Sequence, residues 1–209
     1  MPLSPQSNEF LSRFLAQRFN RLHRSIMVQG QNGPDATESL ALFIERYVDL
    51  AADIVATLKN VTNSIGTNSE MAQQTAMAQQ FLDIPLTIVS RQQGLEAQMY
   101  QAYLACRLVE ELNDVIHTHF SSPVISTDIT KSNLIVHHII GEPFANQLDA
   151  AIQSLSDRLV RAIETDSVLQ SELRVYCSSV NKQGMPNYPC LAEACHIYLV
   201  FNTEKSASD

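Results

Sequence analysis

Residues 40–61 read LALFIERYVDLAADIVATLKNV and carry the most regular hydrophobic pattern in the chain. Their main apolar positions recur at alternating steps of four and three residues, which places them on one face of a single α-helix: Leu40, Ile44, Tyr47, Ala51, Ile54, Leu58 and Val61. Asp35 or Thr37 can cap this helix at its start. Because the same helical period returns in most long segments, the sequence predicts an all-α fold.

The other helices are predicted from apolar stripes and from the residues that start and stop helices. A first helix, opened by Ser4 and Pro5, is expected to run to about Val28. The later predicted helices cover 70–82, 85–120 with Gly94 as a kink, 128–140, 143–163 and 167–181. Residues 134–140 are apolar enough for a strand, but we favour a helix. Residues 190–202 are ambiguous, since 191–196 look helical whereas 197–201 have a strand-like composition.

The length and composition of the chain indicate one domain. With 209 residues, six Gly and eight Pro, it can form one hydrophobic core and has no stretch typical of a flexible linker. We expect a single bundle of about six or seven helices over residues 1–203, with a short irregular or β-like segment near the C-terminal end. Residues 204–209 are expected to form a frayed tail. The heptad-like stripes favour a homodimer, since a second copy can complete such a seam.

The charge of the chain is acidic but uneven. A net charge of −8 argues against a nucleic-acid partner, because phosphate contacts need clustered positive charge. Residues 1–30 carry four arginines and one acidic residue, Glu9, so this segment has a charge of +3 and the remainder −11. This basic segment would suit a membrane surface, but we favour packing against the acidic body.

The sequence also indicates a compartment. No apolar run reaches the roughly 18 residues that a membrane-spanning helix needs, and we expect no transmembrane segment. Four cysteines are too few for a disulfide scaffold at this length. We therefore expect a soluble cytoplasmic protein with reduced thiols.

Two acid-x-x-His matches are the sharpest candidates for chemistry. Residues three apart share a helix face, so a carboxylate and an imidazole can reach one metal ion, as they do in di-iron bundles. Such bundles take two further carboxylates from other helices. The hypothetical di-iron or di-manganese site consists of Asp114, His117, Glu193, His196, Glu45 and Glu142, with Asp49 and Asp149 as alternative donors. It requires a helix through His196, since a strand would send Glu193 and His196 to opposite faces.

A second polar stripe follows the predicted 85–120 helix, beside its apolar face. Its members are Tyr103, Arg107, Glu110, Asp114 and His117. Such a row could line a groove and hold a proton donor or acceptor. We favour a solvated face with ion pairs such as Arg107 with Glu111. The neighbouring His137 and His138 lie in an apolar run and are interpreted as core or boundary histidines.

No motif in the sequence is specific for one activity. It contains no phosphate loop and no nucleophile elbow, and its Cys and His spacings do not form a zinc knuckle. The favoured hypothesis is a non-enzymatic helical protein that binds a protein partner or a ligand through its bundle surface, without a cofactor. Two alternatives stay open: the di-metal protein or oxidase, and a ligand sensor with a pocket lined by Met71, Met77 and Met99. Methionine more often fills a core.

Overall fold

A computed structural model describes residues 26–28, 34–65, 69–83, 94–183 and 187–200 of the chain. Within these residues the elements are, in chain order, β1 (Ile26–Val28), α1 (Pro34–Ile65), α2 (Glu70–Asp83), α3 (Leu95–Phe120), β2 (Ser126–Thr127), α4 (Thr130–Ile140), α5 (Phe144–Thr165), α6 (Ser167–Gln183), β3 (Asn187–Tyr188), α7 (Leu191–Ala194) and β4 (Ile197–Leu199). The predicted all-α class is confirmed. The predicted tail at 204–209 and most of the predicted first helix lie outside the described residues.

Helix α3 lies at the centre of the bundle, where it packs against α1, α2 and α5. All seven residues of the 40–61 stripe are more than nine-tenths buried in the core of this one chain. Full burial of a Leu or Ile side chain contributes about 1.5–3 kcal/mol. The apolar face that predicted α1 therefore packs against other helices of the same chain.

One helix start differs from the prediction, and another can be compared only in part. Helix α3 begins at Leu95, after Gly94, whose φ of 62° and ψ of −140° a side chain would make costly, and the predicted helical part at 85–93 lies outside the described residues. Helix α6 is capped by Asp166 rather than by Ser167. The Asp166 Oδ1 atom accepts the backbone N–H groups of Val168 and Leu169 at 2.9 and 3.1 Å, which satisfies two donors that a helix start leaves unpaired.

Two short pairs of β-strands accompany the helices. Residues Ile26–Val28 were predicted as the end of a helix, but they form β1 and pair antiparallel with β4, with Ile26 opposite Leu199. This prediction was wrong because the partner strand lies at the other end of the chain, where a local pattern cannot indicate it. Strands β2 and β3 pair in parallel, with Ser126 opposite Asn187.

The ambiguous segment near the C-terminal end contains both predicted structures. Residues Leu191–Ala194 form the short helix α7, and Ile197–Leu199 form β4. Residues 130–140 form a helix, as we favoured. No helix within the described ranges is both long enough and apolar enough to cross a membrane.

Candidate functional site

A continuous set of hydrogen bonds links polar side chains of four helices inside the bundle. We call it the polar network, and its members are Tyr47 from α1, Tyr103, Arg107, Glu110 and Glu111 from α3, Asn133 and His137 from α4, and Asp149 from α5.

The deepest part of the polar network is centred on Asn133. The Tyr47 hydroxyl donates to Asn133 Oδ1 at 2.6 Å, and Asn133 Nδ2 donates to Glu110 Oε2 at 2.6 Å. Tyr47, Asn133 and Glu110 are 0, 2 and 8% exposed, respectively. Leaving such a buried group unpaired costs about 1–3 kcal/mol. One amide therefore satisfies a buried phenol and a buried carboxylate at the same time.

Arg107 connects this deep part to the half-buried rim. Its guanidinium pairs with Glu110, donates to Glu111 Oε1 at 2.6 Å and lies 3.4 Å from Asp149 Oδ1. Burial lowers the pKa of Arg107, but the three carboxylates, Glu110 first, raise it by more, so the group stays charged. One cation holding three carboxylates leaves this part of the network with excess negative charge.

Tyr103, Asp149 and His137 form the rim. The Tyr103 hydroxyl donates to Asp149 Oδ1 at 2.6 Å, and His137 Nδ1 lies 3.0 Å from the Tyr103 oxygen and 3.1 Å from Asp149 Oδ2. Since the single phenol proton is given to Asp149, both neighbours of His137 Nδ1 are acceptors. This nitrogen must therefore carry a proton. Burial, and then the hydrogen bond to Asp149, raise the pKa of Tyr103.

The protonation states of the buried members suit a structural role. Burial raises the pKa of Tyr47, and it raises the pKa of the adjacent Cys106 thiol to about 12. Efficient acid–base catalysis uses groups with a pKa near the working pH. The two phenols therefore stay neutral, and their hydrogen bonds link α1 to α4 and α3 to α5.

The sequence-predicted polar stripe is only partly a solvated face. Tyr103 and Glu110 are buried and Arg107 is half-buried, whereas Asp114 and His117 are exposed. The favoured prediction of a solvated face was wrong for the first part of the stripe, which α4 and α5 cover, whereas the predicted ion pair of Arg107 with Glu111 is confirmed. A signal for the covering residues was present: Asn133 and His137 are one helical turn apart, and only apolar residues lie between them.

The residues predicted as metal donors lie in separate places. Glu45 is half-exposed on α1, Glu142 is exposed in the turn before α5, and Asp114 and His117 are exposed near the end of α3. Burial, and then the charge of Glu110, raise the pKa of Asp114. In the described part of the chain, no group of three or more His, Cys, Asp or Glu side chains is arranged to hold a metal ion.

The second acid-x-x-His match does not lie on one helix. Helix α7 ends at Ala194, and His196 is an exposed turn residue with φ 55° whose N–H donates to the Glu193 carbonyl at 3.0 Å. The Glu193 carboxylate is exposed and pairs with Lys131. These positions do not supply the helical pair that the di-metal hypothesis requires, and the hypothesis stays a prediction.

Two half-open cavities lie away from the polar network. One, called the α1–α2 groove, has a volume of about 250 Å³ and is lined by Lys59, Thr62, Asn63, Ala72, Thr75, Ala76 and Gln79. The other, called the α3–α6 cavity, has a volume of about 300 Å³ and is lined by His119, Phe120, Ser121, Arg174, Cys177 and Ser178. The methionines of the predicted sensor pocket line neither: Met71 and Met99 are fully buried, and Met77 packs against the core.

Comparison with known proteins finds no family model, no curated protein and no solved structure that matches the chain.

We predict that Asn133→Ala destabilises the fold strongly. The substitution leaves Tyr47 and Glu110 without their shared partner, at a cost of about 1–3 kcal/mol for each unpaired group. Urea unfolding measures the loss. Asn146→Ala, on the exposed face of α5, is the matched control and should change the free energy of unfolding by less than about 0.5 kcal/mol. Equal losses in the two variants would contradict a bridging role for Asn133.

We predict that Asp114→Asn stabilises the protein at neutral pH. Because the folded-state pKa of Asp114 is raised, its ionised form is disfavoured by folding, and this penalty grows as pH rises through the folded-state pKa. Below the ordinary aspartate value of about 3.9, both states are protonated and the gain should vanish. Urea midpoints from pH 3 to 7 measure the difference. Asp49→Asn, at an exposed carboxylate of α1, is the control, and a pH-independent gain in Asp114→Asn would contradict the assignment.

Proposed function

We propose that the protein is a non-enzymatic helical module that binds a small amphipathic ligand in the α1–α2 groove. The observation that carries the proposal is the lining of this groove. It combines a mostly apolar surface with a few polar groups at its edge, which is the usual composition of a ligand site.

The floor of the groove supports an apolar ligand body. The Thr75 hydroxyl donates to the Met71 carbonyl at 2.8 Å, so the 2.7 Å contact between the two threonine hydroxyls has Thr62 as its donor. Both hydroxyl protons are thus already used by the protein. Ala72 and Ala76 have short side chains and leave room above this floor.

The edge of the groove supports an acidic group on the ligand. Lys59 is exposed at this edge, and no carboxylate in the described ranges forms an ion pair with it. Asn63 and Gln79 add amide donors. The chemistry that fits is an aromatic or aliphatic acid, with its apolar part on the floor and its anionic part beside Lys59.

The fluorescent probe 1-anilinonaphthalene-8-sulfonate tests the proposal, because it combines an aromatic body with a sulfonate. We expect saturable binding to the full chain. In Ala76→Trp the indole fills the groove, and we expect binding to weaken by about tenfold or more, equivalent to about 1.4 kcal/mol.

The matched control is Ala151→Trp, which adds the same indole at an exposed position of α5. It should bind the probe like the wild type. Equal titrations of the two tryptophan variants, or a linear and unsaturable signal in the wild type, would overturn the proposal. Circular dichroism establishes that both variants fold.

The di-metal protein is the alternative proposal. Inductively coupled plasma mass spectrometry of the untagged protein, compared with a His117→Ala and His196→Ala double variant, tests it. If the wild type holds about two iron or manganese ions per chain and the double variant loses them, the di-metal protein becomes the favoured function in place of ligand binding.

The homodimer also stays a prediction. The molar mass measured by light scattering tests it. Its sequence basis was the heptad-like stripes, and the one on α1 is buried within a single chain.

A further inference from the structure

The α3–α6 cavity lies where the last turn of α3 meets the middle of α6. Its volume is about 300 Å³, and its lining is predominantly polar. Arg174 and His119 are its basic residues, Ser121 and Ser178 contribute hydroxyls, and no acidic side chain lines it.

The loop that follows α3 begins at Ser121, which lines the cavity, and this loop is hydrogen-bonded to both helices. Asn113 Oδ1 accepts the N–H groups of Val124 and Ile125 at 3.1 Å each, and its Nδ2 donates to the Ile125 carbonyl at 2.9 Å. From α6, the Tyr176 hydroxyl donates to the Val124 carbonyl at 3.2 Å. The Cys177 thiol also donates to the Ser122 carbonyl at 3.9 Å. These bonds hold the loop beside Ser121 and Cys177, two of the residues that line the cavity.

Arg174 supplies a positive charge that the described residues do not neutralise. Its guanidinium carbon lies 5.9 Å from the centre of the ring of Phe120, which also lines the cavity. Among the described carboxylates, none forms an ion pair with Arg174. Glu172 lies two residues earlier, about 200° around the helix axis, and so faces away from Arg174.

His119 supplies a second ring nitrogen to the cavity. Its Nδ1 lies 2.8 Å from the Val115 carbonyl, which only accepts, so Nδ1 carries a proton. In the neutral ring Nε2 is then an acceptor, which can take the proton of a phosphate that carries one. The thiol of Cys177 is neutral, because burial raises its pKa. It adds no negative charge to the lining.

The end of α3 opposes an anion, but only weakly. A helix C-terminus carries the equivalent of about half a negative charge. The Ser121 N–H already caps the His117 carbonyl at 2.7 Å and offsets part of it. The full charge of Arg174 therefore exceeds this effect.

We propose that the α3–α6 cavity binds a phosphate group, either free or as part of a small phosphomonoester. A guanidinium presents parallel N–H donors that match two phosphate oxygens. The Ser121 hydroxyl can donate to a remaining oxygen from the other wall, and His119 Nε2 can accept the proton of a monoprotonated phosphate group. This inference is independent of the α1–α2 groove, which it does not use.

Isothermal titration calorimetry of the full chain tests the proposal in two arms, inorganic phosphate and phenyl phosphate, at constant ionic strength in chloride. We expect saturable binding in at least one arm, and the tighter arm identifies the source of the phosphate group. Arg174→Gln should weaken binding by about tenfold or more. Arg161→Gln, at another exposed arginine that lies outside the cavity on α5, is the matched control and should bind within about twofold of the wild type.

Ser178→Glu provides a second test that does not remove the arginine. Ser178 is exposed at the edge of the cavity, so the new carboxylate should pair with Arg174 and abolish phosphate binding while circular dichroism stays unchanged. No saturable binding in either arm, equal weakening by Arg174→Gln and Arg161→Gln, or full binding by Ser178→Glu would overturn the proposal. Unchanged phosphate binding in Ala76→Trp would show that the two sites are separate.

Discussion

The hydrogen bond from Asn133 to Glu110 is the interaction on which the arrangement of the helices depends. A carboxylate in the core is tolerated only when its oxygens are paired, and here the pairing groups come from its own helix and from α4. The same amide accepts from Tyr47 on α1. A displacement of any of these helices would leave a buried group unpaired, whereas hydrophobic contacts alone would tolerate several alternative packings. The apolar core supplies most of the stability, and the polar network selects one arrangement of it.

The fold class could be predicted because helical period is a local property of the chain. The 40–61 stripe predicted α1, and the Gly141 and Pro143 break correctly separated α4 from α5. Local patterns could not predict β1, since Ile26–Val28 become a strand only beside residues 197–199. Helix α3 begins at Leu95, and the sequence pattern alone allows Gly94 to be a kink as well as a helix start.

The polar network could be predicted only in part, for a related reason. Tyr103, Arg107 and Glu110 share one helix, and their spacing is visible in the sequence. Asn133 and Asp149 meet them only after α4 and α5 have packed against α3, which no spacing in the sequence specifies. The Glu193 and His196 match shows the opposite failure. Its spacing fits a helical turn, but the helix ends at Ala194, and spacing carries chemical meaning only inside a continuous helix.

The pairing of β1 with β4 also determines how the molecule responds to tension. In this antiparallel ladder, Ile26 lies opposite Leu199 and Val28 lies opposite Ile197. Ile26, at the start of β1, and Leu199, at the end of β4, therefore lie at the same end of the ladder. A pulling force applied through both would peel the strands apart one residue pair at a time, instead of shearing all the pairs together. The helices would thus bear the force only after the pairing of β1 with β4 had opened.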